Sequence, residues 1–152
     1  MTPARAESLV VLTLRALAVC FAVVGILFIA TPNGVLGRID DVGNWIGSFP
    51  GAPRSEEKLW LGLAFAYMTV ITGIALVVST DVARYRPFLL VLASGKAASS
   101  LAAGAFYVFH SHVFIYLLNF VVDGSLVFTV LWCWAIAAPS SATRPPEGVP
   151  PA

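Results

Sequence analysis

The sequence predicts an all-α membrane protein, a four-transmembrane-helix bundle with one interfacial amphipathic helix in the first loop. The 152 residues are 59% hydrophobic and 11% charged, with a mean hydropathy of +0.87, whereas soluble domains carry about 25% charged residues. Four apolar runs are long enough to cross a bilayer, which takes about 20 helical residues. The links between the last three runs are short, which favours antiparallel neighbouring helices.

The four apolar runs define the predicted spans, about residues 8–30, 59–79, 87–109 and 113–137. Residues 1–137 are therefore predicted to form a single membrane domain, and residues 138–152, which contain five prolines, to form a disordered tail. We expect the first span to be retained rather than cleaved as a signal peptide. Arg15 interrupts its apolar stretch, and no small-x-small cleavage site follows Ala30.

The long first link contains a helical pattern at about residues 35–49. Its apolar residues recur at spacings of four and three, with polar residues between them, which predicts an amphipathic helix lying in the membrane interface. These apolar residues are Val35, Ile39, Val42, Ile46 and Phe49. An irregular loop is the alternative, because glycines at positions 37, 43 and 47 weaken a helix.

Charge sets the expected orientation and excludes one class of partner. With four spans, both termini and the second link lie on one side, together with Arg5, Arg84, Arg86 and Arg144, and Arg15 lies near it. The excess of basic residues over the other side predicts that both termini are cytoplasmic. The net charge of +1 argues against a nucleic-acid partner, because phosphate binding needs a clustered basic surface.

Two of the charged residues fall near the middle of spans, where a charge is tolerated only when it is paired, solvated or able to reach the interface. Lys96 belongs to a stripe of the third span that includes Ser100 and Tyr107, and Asp123 shares a stripe of the fourth with Tyr116 and Asn119. Antiparallel packing then predicts a polar interface closed by a Lys96–Asp123 ion pair. We expect Ser100 opposite Asp123, Tyr107 opposite Tyr116, and Lys96 one turn beyond Asp123.

Two interpretations of this polar interface stay open. It is either a structural lock that fixes packing and register, or a proton relay or polar ligand site. Ser99 and Ser100 would complete the hydrogen bonding of the pair. Arg15 either extends to the membrane interface or joins the site and gives it affinity for an anion such as a lipid phosphate. The candidate site residues are Arg15, Lys96, Ser99, Ser100, Tyr107, Tyr116, Asn119 and Asp123.

A metal site at His110 and His112 is not favoured, because two imidazoles are too few and no nearby acidic residue or cysteine completes the set. No cofactor is predicted, although a quinone or a lipid is compatible with the polar interface. Phosphate-binding loops, nucleophile elbows and zinc-protease motifs are absent from the sequence, so an enzyme is not the favoured class.

The third span contains many small residues between positions 93 and 105, all of them Ala, Ser or Gly. Small side chains let neighbouring helix backbones approach closely. We therefore expect the third span to be the central helix of the bundle.

The chain resembles the small bacterial four-helix membrane proteins grouped as DoxX-like in its four short spans and in Leu14-Arg15 with Phe28-Ile29-Ala30-Thr31-Pro32. Arg84-Tyr85-Arg86-Pro87 with Gly95-Lys96-Ala97-Ala98-Ser99-Ser100 resembles a pattern of uncharacterised bacterial membrane proteins. The resemblance implies a four-span fold in a bacterial inner membrane. Some members of that group are linked to quinone-related respiratory or redox complexes.

The favoured function is a non-enzymatic accessory or scaffold subunit of a membrane complex, since the chain is short and little of it lies outside the spans. One alternative is a quinone, lipid or proton site at Lys96 and Asp123. Another is a small transporter working as an oligomer. The expected partners are the lipid bilayer and either a membrane protein or a second copy of the chain.

Overall fold

The computed structural model describes residues 2–137, and every regular element in that part of the chain is a helix. The predicted tail at residues 138–152 lies outside the described residues. The elements are α1 (Pro3–Ala30), α2 (Pro32–Ile46), α3 (Lys58–Thr80), α4 (Val82–Tyr85), α5 (Pro87–Phe109) and α6 (Phe114–Ile136). Helices α1, α3, α5 and α6 are long and apolar enough to cross a membrane. The all-α, four-helix fold class is confirmed, and the chain fits a small multi-pass integral membrane protein.

The helix bounds differ from the predicted spans mainly near the N-terminus. Helix α1 begins at Pro3, about a turn and a half before the apolar run, and α2 begins at Pro32 rather than near residue 35. Proline suits the first turn of a helix because its missing N–H has no partner there. The irregular-loop alternative is wrong for residues 32–46. The short second link contains α4, whose N-terminus is capped by the Asp81 carboxylate accepting from the Arg84 N–H at 3.0 Å.

The four long helices alternate in direction and so define two ends of the bundle. The end formed by α2 and the 110–113 turn is called the α2 end, and the opposite end the α4 end. Helix α1 packs mainly on α3, and α5 mainly on α6, with fewer contacts between the two pairs. Helix α5 has the largest buried share of the four long helices, as a central helix would. It packs mainly on α6, however, and not on all three of the other long helices.

The two helix pairs converge in the half of the bundle toward the α4 end. A continuous core of fully buried aliphatic side chains fills this half, including Leu14, Val78, Leu89 and Val130. Arg86 covers the end of α6, where its Nε donates to the Trp134 carbonyl at 3.0 Å and its guanidinium lies 4.1 Å from the Trp134 ring centroid. This half is therefore closed by packing and by a satisfied helix C-terminus.

At the α2 end, α2 and the segment after it cover the bundle. Residues 47–57 form a strap that is tied back to α2 at two points. The Asp40 carboxylate accepts the Ala52 N–H at 3.0 and 3.1 Å, and Asn33 exchanges hydrogen bonds with the Ser55 backbone at 2.9 and 3.4 Å. These bonds satisfy backbone groups that a strap without secondary structure would otherwise leave open.

Helix α2 also packs directly against the start of α6. A Cβ added at Gly43 would lie 2.7 Å from the Phe114 Cβ, so only glycine permits this approach. Phe49, in the strap, packs on the same Phe114 ring with centroids 5.1 Å apart. Phe114 is thus the residue that attaches the α2 end to the bundle.

Candidate functional site

A buried ion pair joins α5 and α6 near the middle of both helices. The Lys96 Nζ donates to Asp123 Oδ1 at 2.9 Å, and the two side chains are 4% and 6% exposed. Burial in a low-dielectric interior makes an unpaired charge very costly, so each group depends on the other. The predicted ion pair is therefore present in the structure.

Aromatic rings from the other helix pair cover this ion pair. The Lys96 ammonium lies 4.9 Å from the ring centroid of Phe21 in α1 and 5.6 Å from that of Tyr67 in α3. Both distances suit cation–π attraction. The Tyr67 hydroxyl is buried next to Gly95 and has no hydrogen-bond partner among the described residues. The ion pair is thus enclosed on the side of α1 and α3. It marks the boundary of the buried core toward the α2 end.

The register of α5 against α6 agrees with the prediction at Ser100. The Ser100 hydroxyl lies 3.3 Å from a Cβ added at Gly124, next to Asp123, and Lys96 reaches Asp123 with the end of its long side chain. Tyr107 packs against His112, with ring centroids 5.1 Å apart, and Tyr116 packs against Phe106 at 5.7 Å, so Tyr107 does not meet Tyr116. The prediction is therefore wrong for the aromatic pair and agrees with the structure at Ser100.

Ser100 and Ser99 do not hydrogen-bond to the ion pair as expected. The Ser100 hydroxyl donates across the interface to the Phe120 carbonyl at 2.8 Å, and the Asn119 side-chain amide donates to the Ser99 hydroxyl oxygen at 3.3 Å. These bonds lie about one turn from the ion pair, toward the α2 end. The polar interface therefore has two parts, the closed ion pair and the group formed by Ser99, Tyr116 and Asn119.

That second group lines an open cavity of about 610 Å³ in the half of the bundle toward the α2 end. Its wall residues Val24, Phe106 and Val122 are exposed at the surface of the bundle. The walls come from α1, α2, α5 and α6, and Ala52, Pro53 and Ser55 of the strap form part of the lining. The other lining side chains are mostly apolar and include Val24, Phe28, Leu36, Ile39, Phe106, Ile115, Leu118 and Val122. A volume of a few hundred cubic ångströms with an apolar wall and a few polar groups is typical of small-molecule sites.

The small residues of α5 explain why space remains here. Ser99, Ala102 and Ala103 face the cavity, where larger side chains would have filled the gap between α1 and α6. Gly104 has the other role expected of small residues, because a Cβ there would lie 2.8 Å from the Phe120 ring. The same segment of small residues thus lets α5 and α6 pack closely at Gly104 and leaves space between α1 and α6 at Ser99, Ala102 and Ala103.

The remaining candidate residues lie apart from both parts of the polar interface. Arg15 is exposed on α1, between the exposed residues Leu12 and Val19, and it does not join the ion pair. His110 and His112 are exposed at the α2 end. Within residues 2–137, no three His, Cys, Asp or Glu side chains form a group that could hold a metal ion.

Sequence reasoning missed the cavity and the strap. Helical periodicity identified Tyr116 and Asn119 as part of a polar stripe, but their role in lining a cavity depends on how α1 and α6 diverge. The strap is held by hydrogen bonds to Asn33 and Asp40, which lie about two helical turns apart on α2. The available signal was the polar face of this amphipathic segment, to which Asp40 belongs.

Comparison of the chain with family models, curated proteins and solved structures found no match. The similarity to DoxX-like proteins therefore stays a prediction, and the fold and the geometry described above are the basis for a functional conclusion.

Proposed function

We propose that this protein binds a small lipophilic molecule inside the membrane, in the cavity at the α2 end of the bundle. The carrying observation is the 610 Å³ cavity with Ser99, Tyr116 and Asn119 on an otherwise apolar wall. Such a wall suits the apolar body of a quinone or a lipid, and the polar group suits its head. The site differs from the one expected at Lys96 and Asp123, which are enclosed by packing.

In this proposal the ion pair is a structural lock. Its two charges neutralise each other at 2.9 Å, and both side chains are almost fully buried. Removing either partner would leave a buried charge, which is strongly destabilising. The lock holds α5 and α6 in the register that sets Ser99 beside Asn119, and so fixes the polar group of the cavity.

The proposal is tested by filling the cavity. Ala102 lines it, while Ala98, one turn earlier on α5 and exposed like Ala102, lies outside it. The protein is purified from its native membrane and extracted with organic solvent, and the bound molecules are quantified by mass spectrometry. We expect a lipophilic molecule at near-stoichiometric amount in the native protein and in Ala98→Trp, and its loss in Ala102→Trp. Equal content in all three proteins, or none in the native protein, contradicts the proposal.

A second candidate function is an accessory or scaffold subunit of a membrane complex. It is supported by the open groove between α5 and α6 around Ala97, Gly124 and Ser125, where small residues permit close approach of another helix. Crosslinking in native membranes before purification tests this role. A discrete partner crosslinked at Ser125 supports it, and a monomer alone counts against it.

We also propose a location in a bacterial inner membrane with both termini cytoplasmic, supported by the excess of Arg residues at the α4 end and the termini. In that orientation the cavity lies in the outer half of the bilayer. Accessibility of a single cysteine introduced at Asp41 to a membrane-impermeant thiol reagent in intact cells tests it. Labelling supports this orientation, and protection until the cells are broken contradicts it.

A further inference from the structure

We infer that the cavity selects uncharged ligands whose head accepts hydrogen bonds, such as an ester or a quinone carbonyl, and discriminates against anionic lipids. This inference rests on the proposed function and specifies its ligand class. It follows from the charge of the lining, from unused hydrogen-bond donors, and from the place of the polar group within the cavity.

The lining described within residues 2–137 contains no Asp, Glu, Lys, Arg or His side chain. A carboxylate or a phosphate entering this cavity would lose its hydration without meeting a cation, which is very unfavourable. The nearest buried cation is Lys96, and it is already paired with Asp123 and covered by aromatic rings. An uncharged head avoids this cost.

The polar group of the cavity has donors to spare. The Asn119 amide carries two N–H donors and uses one of them, at 3.3 Å, on Ser99. Most helical serines and threonines here donate to a carbonyl of their own helix, as Ser94 and Ser125 do. The Ser99 and Tyr116 hydroxyls have no such acceptor among the described residues, so they can donate to a ligand.

The position of these donors fixes how a ligand would lie. Ser99 and Asn119 are half-buried on the side of the cavity toward the ion pair, about one turn from it, while Leu36, Ile39 and the strap form its wall toward the α2 end. A carbonyl placed between Ser99, Tyr116 and Asn119 would receive hydrogen bonds from up to three donors. The apolar remainder of the ligand would then extend along Phe28, Phe106 and Val122.

The test uses three photoreactive probes that share one diazirine-bearing acyl chain: a methyl ester, the free fatty acid and the plain hydrocarbon. The full-length protein in detergent micelles at pH 7.5 is labelled, and the labelled residues are located by mass spectrometry. We expect saturable labelling of cavity residues by the ester at about tenfold lower concentration than by the acid or the hydrocarbon, the size of effect that one net hydrogen bond produces.

Variants identify the donors. Asn119→Leu keeps the volume and removes the amide, and Ser99→Ala removes the hydroxyl; we expect each to raise the half-saturating concentration of the ester about tenfold, toward that of the hydrocarbon. Ser94→Ala is the matched control on the same helix, because Ser94 is exposed and its hydroxyl is used within α5, and it should label like the native protein. Melting temperatures of all variants confirm that each is folded.

The outcomes separate the inference from the function. Equal labelling by ester and acid, or by ester and hydrocarbon, overturns the inference and leaves a lipophile site. Absence of saturable labelling by all three probes overturns the proposed function as well. Competition of the ester label by a short-chain benzoquinone or by a diacylglycerol distinguishes the two natural sources of an uncharged carbonyl, and competition by neither contradicts the inference.

Discussion

The two halves of the bundle differ in how they use the same helices. Toward the α4 end, Leu14, Val78, Leu89 and Val130 are fully buried between the helix pairs. Toward the α2 end, small residues on α5 leave a cavity between α1 and α6, and α2 with its strap covers it. The Lys96–Asp123 pair lies at the boundary between the halves. If the cavity binds a ligand as proposed, stability and binding are separated along the bundle axis, and substitutions can affect one without the other.

The largest effect is expected from breaking the boundary itself. Lys96→Ala leaves the Asp123 carboxylate buried without a partner and should lower the free energy of unfolding by about 3 kcal/mol. Replacing both residues, as Lys96→Met with Asp123→Leu, removes both charges and should restore most of that loss. Unfolding in mixed micelles measures both. If Lys96→Ala is as stable as the native protein, the ion pair does not hold the bundle together.

A smaller loss is expected where α2 meets α6. Gly43→Leu places a side chain into Phe114, where even a Cβ would lie at 2.7 Å, and overpacking of this kind costs about 1–3 kcal/mol. Gly37→Leu is the matched control on the same helix, because nothing lies within 4 Å of a Cβ there. Thermal unfolding compares the two. Equal melting temperatures would show that α2 is not held by this contact.

The strap should respond locally rather than globally. Asp40→Ala removes the carboxylate that accepts the Ala52 N–H, and hydrogen bonds to charged groups contribute about 1.5–3 kcal/mol. Because only the strap depends on this bond, we expect about tenfold faster hydrogen exchange at Ala52 with little change in the core of the α4 half. The neighbouring, exposed Asp41 provides the control, Asp41→Ala. Unchanged hydrogen exchange at Ala52 would show that the Asp40 hydrogen bond does not hold the strap.

The smallest effect is expected at Arg15. It is exposed on α1 and has no ion pair or hydrogen bond within the described chain, so Arg15→Leu should change the free energy of unfolding by less than about 0.5 kcal/mol. The same variant should leave probe labelling of the cavity unchanged. A large effect on labelling would place Arg15 in the binding site after all.

The spans and the ion pair could be predicted because a bilayer imposes strong rules on composition and charge. A run such as 87–109 has few alternatives to a helix, and a buried Lys96 needs a partner such as Asp123. The Tyr107–Tyr116 pair was wrong because helical spacing fixes which residues share a face but not which neighbour each aromatic ring packs against. The cavity was not foreseeable, since it depends on how α1 and α6 diverge in three dimensions.

Separation of the lock from the binding site is tested most directly by labelling the Lys96→Met, Asp123→Leu double variant with the methyl ester probe, beside Asn119→Leu. We expect the uncharged double variant to label the cavity with the half-saturating concentration of the native protein, while Asn119→Leu needs about tenfold more probe, as expected for one lost hydrogen bond. A folded double variant that no longer labels, with Asn119→Leu labelling normally, would place the ligand at the ion pair and contradict the account.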